Sequence, residues 1–114
     1  MKVLVCGSRD FNDRETVFKI LDDNLFSPIT ELVSGGARGV DTLAEEWARA
    51  RGIKVTQFLP DWEKEPRRAG IIRNKEMVKY ADSVIAIWKG MSRGTASTID
   101  FARDAQKPLD VWHV

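Results

Sequence analysis

Four arginines in this chain sit where they could hold an anion. Arg9 follows Gly7-Ser8, Arg38 lies inside Ser34-Gly35-Gly36-Ala37-Arg38-Gly39-Val40-Asp41, and Arg93 lies inside Ser92-Arg93-Gly94-Thr95. Arg73, followed by Asn74, falls near the start of a further helical stretch. Arginine presents a planar fork of donors that suits phosphate, and bare backbone N–H groups at a glycine-rich turn opening a helix suit it too. A tight turn with no ligand, or an ordinary surface arginine, would give the same local sequence. What favours binding is that the pattern occurs three times. Thr95, Ser97 and Thr98 could add hydroxyl donors at the last helix start, or serve only as caps. Asp41 is suited to the first turn of a helix by electrostatics alone. Beside a bound phosphate it would instead orient an arginine or a ribose hydroxyl. Asp61-Trp62 lies in a proline-punctuated stretch, where Trp62 is either a stacking surface for a base or an aromatic plug in the core.

The elements that must position these residues follow from periodicity. Apolar runs at 2–6, 31–33, 53–58, 83–88 and 109–112 read as strands, and amphipathic stretches between them read as helices. Asn12-x-x-Glu15 has the form of a capping box, opening a helix with Val17, Ile20, Leu21 and Leu25 on its apolar face and ending at Ser27-Pro28. Leu43, Ala44, Trp47 and Ala48 line one face of a second helix, which stops at Arg51-Gly52. A third helix spans about 69–80 and a fourth runs from the last glycine turn to about Gln106. The continuous apolar run 83–88 is typical of a strand covered on both faces. Alternating strands and helices predict an α/β, Rossmann-like three-layer sandwich with a five-stranded, mainly parallel sheet in the order 3-2-1-4-5. The turns after strands one, two and four then share the rim where the strand order reverses, which is where such sheets bind ligands.

Composition narrows the chemistry. The 114 residues form one expected domain, 1–114, with 43% apolar residues to build its core. Lys and Arg number 18 against 17 Asp and Glu, a net charge of +1, so anion recognition must come from local placement and not from a global field. One cysteine, Cys6, and one histidine, His113, supply neither a metal site nor a Ser-His-Asp or Cys-His mechanism. Cys6 ends an apolar strand and reads as a buried small residue. No leader pattern or long apolar run occurs, and a cytoplasmic protein without membrane contact is expected. The GxGxxG and GxxxxGK[ST] patterns are absent, and no cofactor is expected.

Gly7-Ser8-Arg9, Ser34 to Asp41, Arg73-Asn74 and Ser92-Arg93-Gly94-Thr95-Ala96 occur in an order that resembles the SLOG superfamily, which includes DprA (Smf) and the LOG phosphoribohydrolases. The short form, with Asp61-Trp62 before Ala69-Gly70, is most similar to its YspA-like branch, found in bacteria and phages. The resemblance implies a Rossmann-like domain binding a nucleotide or nucleotide-derived ligand, such as an ADP-ribose-like molecule, at the glycine-rich rim. It also implies two alternatives. LOG enzymes cleave the N-glycosidic bond of nucleoside monophosphates and carry Gly-Thr-x-x-Glu; here Gly94-Thr95 matches, Arg73 corresponds to the family's separate arginine, and Thr98 stands at the glutamate position. Asp100 falls two residues further, off that position. Asp41 or Asp61 would have to supply the carboxylate that glycosidic cleavage needs. The DprA likeness implies single-stranded DNA binding, with Lys64, Arg67, Arg68, Arg73 and Lys75 as the basic cluster, although the net charge argues against extended backbone tracking. Pairing of chains into a homo-oligomer is left open by the sequence.

Overall fold

The computed structural model describes residues 1–26, 28–90 and 92–114; Ser27 and Met91, each part of an expected turn, lie outside the described residues. In chain order the elements are β1 (Lys2–Gly7), α1 (Arg14–Asp22), β2 (Glu31–Ser34), α2 (Val40–Ala50), β3 (Lys54–Gln57), α3 (Ala69–Tyr80), β4 (Ser83–Trp88), α4 (Arg93–Asp104) and β5 (Leu109–His113). The five strands form one sheet in the order β3-β2-β1-β4-β5, and every pairing is parallel. This is the expected Rossmann-like topology, with the strand order reversing between β1 and β4.

Two apolar clusters cover the two faces of the sheet. Val3, Val5, Leu32, Ile85 and Ile87 pack with α1 and α2 through Val17, Leu21, Ala44 and Trp47. Leu4, Cys6, Val33, Val84 and Ala86 pack with α3 and α4 through Met77, Val78, Ile99 and Ala102. Alternate strand residues thus serve opposite layers, as the period of two requires.

The first helix departs from expectation at both ends. Its N-cap is Asp13, not Asn12: the Asp13 carboxylate accepts from the Thr16 amide at 3.1 Å and from its hydroxyl at 2.8 Å. The helix stops at Asp22, so Leu25 is not on its apolar face but 76% exposed. The Asn24 side chain explains the stop. It donates to the Leu21 carbonyl at 2.7 Å and accepts from the Phe26 amide at 2.7 Å, offering the backbone a turn in place of another helical bond.

Candidate functional site

At the reversal point the first two turns are locked together through their backbones. The Ser8 carbonyl accepts from the Val40 amide at 3.3 Å, and Gly39 lies so close that a side chain there would meet the Ser8 and Arg9 carbonyls. Gly39 also has φ of 76°, which favours glycine. A side chain at Gly7 would strike the Ile87 carbonyl and the Val40 side chain. Ser8 is buried; its hydroxyl donates to the Lys89 carbonyl at 3.1 Å and accepts from the Lys89 amide at 2.9 Å. Ser34 is likewise buried, donating to Glu45 at 2.7 Å and accepting from the Gly36 amide at 3.1 Å. Both serines belong to the turns expected to hold the ligand, and their hydroxyls are occupied in holding those turns in shape.

Between these turns and α4 opens a cavity of about 260 Å³. Cys6 and Gly7 from the end of β1 line it, with Arg9, Ala37 and Asp41 from the first two turns and Arg73, Asn74 and Met77 from α3. Ser92, Arg93, Gly94, Thr95 and Thr98 line it from the start of α4. Ser92 is the α4 N-cap: its hydroxyl accepts from the Thr95 amide at 3.4 Å and lies 3.0 Å from the Thr95 hydroxyl. Thr98 donates to the Gly94 carbonyl at 3.0 Å, so the position a LOG glutamate would hold is filled by a buried hydroxyl bonded within its own helix.

Arg73 is the pivot of the site. Its Nη1 donates to the Gly35 carbonyl at 2.8 Å and to the Phe58 carbonyl at 3.4 Å, and its Nε donates to Asn74 Oδ1 at 2.9 Å. Asn74 in turn donates to the Gly94 carbonyl at 3.4 Å, which ties α3 to α4. Turned inward this way, Arg73 is separated in role from Lys64, Arg67, Arg68 and Lys75, which are exposed. The guanidinium groups of Arg9, Arg38 and Arg93 are exposed and enter no hydrogen bond or ion pair with the described residues.

Asp41 is the buried carboxylate of the cavity, 7% exposed, and accepts from the Ala37 amide at 3.2 Å. Burial pushes its pKa up to about 6, against the opposing pull of that amide and of the Arg73 and Arg9 charges; Glu45 adds a smaller push upward. Burial, reinforced by the Asp41 charge, also holds the Cys6 thiol far above its ordinary range, so it stays protonated. Burial draws the Arg73 guanidinium down from its usual value while Asp41 works to raise it.

The other sequence-marked residues fall outside this cavity. Gly35, Gly36 and Arg38 line a second one, of about 420 Å³, with Leu59, Pro60 and Trp62; it shares Arg9, Ala37 and Arg73 with the first. Trp62 is 54% exposed, which excludes the core-plug reading. Asp61 is exposed, lines a third cavity with Leu59 and Arg73 and accepts from the Lys64 amide at 3.1 Å, a local turn contact. Among the described residues no group of acidic, histidine or cysteine side chains could hold a metal ion, and no helix is long and apolar enough to cross a membrane. Sequence reasoning missed Glu45, buried on α2, because its partners Ser34 and Gln57 come together only through the β2–β3 register. Cys6 and Met77 as cavity floor also went unread; both follow once the strand order is known.

A model of the YspA, cpYpsA-related SLOG family matches residues 1–64, a stretch that runs from β1 through Trp62. The chain is 44% identical over 114 residues to Gene 61 protein of Mycobacterium phage D29, covering 93% of this chain and 89% of that protein. With that model matching more than half of its length, the chain belongs to the YspA, cpYpsA-related SLOG family.

Proposed function

We propose that the protein binds a nucleotide or nucleotide-derived ligand, its phosphate held in the cavity between β1 and α4. The observation that carries this reading is the convergence of Arg9, Arg73 and Arg93 with the N-terminal turn of α4 on one cavity. A helix start aims its free N–H groups and the positive end of its dipole at that space, and arginine adds donors of matching geometry. Membership of the SLOG family supports a nucleotide-related role. A sensor or sequestering module, binding without turnover, fits a site whose donors outnumber its reactive groups. The test is a thermal-shift panel of nucleoside mono- and diphosphates and ADP-ribose-like molecules. A ligand at 100 times its Kd stabilises by about 2.7 kcal/mol, a shift on the order of 10 °C for a domain near this size. No shift from any phosphorylated nucleotide would remove the reading.

One observation favours a second reading, nucleotide N-glycosidase activity: the Asp41 carboxylate is buried in the same cavity with its pKa pushed up to about 6, close to where a general base works best. Asp41 would take a proton from water as the water oxygen bonds the anomeric carbon, and the base would leave with the C–N electron pair and take up a proton from solvent. Release of free base from a nucleoside monophosphate, lost in Asp41→Asn, tests it; binding without release leaves the module. Single-stranded DNA binding, the third reading, has the exposed Lys64, Arg67, Arg68 and Lys75 in its favour. It fails if mononucleotides bind far better than an oligonucleotide at both low and moderate salt.

A further inference from the structure

Leu59 and Trp62 are large apolar side chains left in water, 67% and 54% exposed, and both line the second cavity. Scattered surface apolar residues are ordinary, but these two share one concave wall with an arginine, Arg38, that has no partner among the described residues. The wall is shaped by what is missing from its glycines. A side chain on Gly36 would come within 3.0 Å of Leu59 Cδ2, so bare backbone forms the floor there. Trp62 reaches toward the start of α3, its Cη2 lying 3.7 Å from where a side chain on Gly70 would begin, so the bare glycine leaves the ring room there. An exposed indole, an aliphatic neighbour, bare glycine backbone and a guanidinium unpaired among the described residues make a surface suited to a flat, polarisable ring.

Its position relative to the first cavity supplies the rest. Arg9, Ala37 and Arg73 line both spaces, so the second cavity adjoins the one at the start of α4. We infer that the Leu59–Trp62–Arg38 cavity is a base subsite, taking the heteroaromatic ring of a ligand whose phosphate lies in the first cavity. This deepens the nucleotide-binding reading and rests on it. The ligand class is thereby restricted to phosphates that carry a base; a sugar phosphate alone would leave the second cavity to water. Trp62 and Leu59 make the apolar contact, and Arg38 caps the ring.

Calorimetric titration of wild-type protein, Trp62→Ala and Leu59→Ser with the four common nucleoside 5′-monophosphates and with ribose 5-phosphate tests this. In the wild type the best nucleotide should bind at least ~10-fold more tightly than ribose 5-phosphate, the order expected for one stacked base. In Trp62→Ala that preference should fall to about threefold or less, with ribose 5-phosphate affinity unchanged, because stacking alone is removed. Leu59→Ser should reduce it in the same direction by a smaller factor. Equal affinity for nucleotide and sugar phosphate in the wild type would overturn the base subsite while leaving the phosphate site standing. A preference that survives in Trp62→Ala would overturn it as well. Binding of neither class would overturn the nucleotide reading and this inference together. Light scattering on the same samples checks the remaining occupant: dissociation of a dimer by Trp62→Ala would make the patch a contact between copies of this chain and overturn the subsite.

Discussion

Helix α2 carries two buried carboxylates one turn apart, and they are held in contrasting ways. Glu45 is saturated: its Oε2 accepts from Ser34 at 2.7 Å, and its Oε1 accepts from Gln57 at 2.7 Å and Arg49 at 3.2 Å. Asp41 accepts from one backbone amide, and the arginine nearest in effect, Arg73, donates to carbonyls and to Asn74 instead. Among the described residues Asp41 has no ion pair. Buried charge without full compensation costs stability, and natural folds tolerate that chiefly at functional sites. Glu45 therefore belongs to the scaffold that pins β2 and β3 to α2, and Asp41 belongs to the cavity.

The largest expected effect breaks the scaffold half of this contrast. Glu45→Ala strands the buried Ser34 hydroxyl, releases Gln57 and should cost about 3 kcal/mol. That corresponds to a melting-point drop of more than ~10 °C. An effect below ~1 kcal/mol would mean that the network is solvated and the contrast false.

Asp41→Asn should move stability the other way. The folded pKa of Asp41, about 6, lies above its unfolded value, so the folded state binds the proton more readily. Stability associated with this group is greatest at low pH, falls as pH rises from about 4 to about 6, and stays reduced above that. Asparagine avoids the buried charge and should raise the apo protein's stability at pH 7.5 by about 2 kcal/mol. The gain over wild type should vanish near pH 4, and melting curves at both pH values check the sign. Destabilisation at pH 7.5 would place Asp41 with Glu45 as scaffold.

Two smaller effects concern binding. Arg93→Ala should weaken the best nucleotide by at least ~10-fold, the loss of a charge-assisted contact, while the apo melting point shifts by no more than a few degrees. Arg38→Ala should likewise leave the apo melting point nearly unchanged and reduce the best nucleotide's shift by less than Arg93→Ala does, because Arg38 meets the base and not the phosphate. If Arg38→Ala instead destabilises the apo protein strongly, that arginine is structural.

Much of this was legible in the sequence. The run Ser83–Trp88 is apolar at nearly every position because β4 is covered on both faces, and that strand matches its expected bounds. Strand order followed from right-handed crossovers, and that order put the glycine turns on one rim. Leu25 misled because it continues the period set by Leu21, while Asn24 between them ends the helix through side-chain bonds that periodicity does not register. At the site, the glycine turns and arginines were visible as types, but their grouping was not. Arg93 and Arg38 look equivalent in sequence, yet they line different cavities, with Arg73 between them. Ser8 and Ser34 were visible only as members of the glycine turns; the packing of turn on turn is what occupies their hydroxyls.

The most direct test of the central claim is calorimetric titration of nucleoside 5′-monophosphates into wild-type protein and Arg93→Ala at pH 7.5. Saturable one-site binding in the wild type, weakened at least ~10-fold in the variant at an unchanged fold, is the expected result. Absence of binding in the wild type, or equal affinity in both proteins, would contradict a phosphate site at the start of α4.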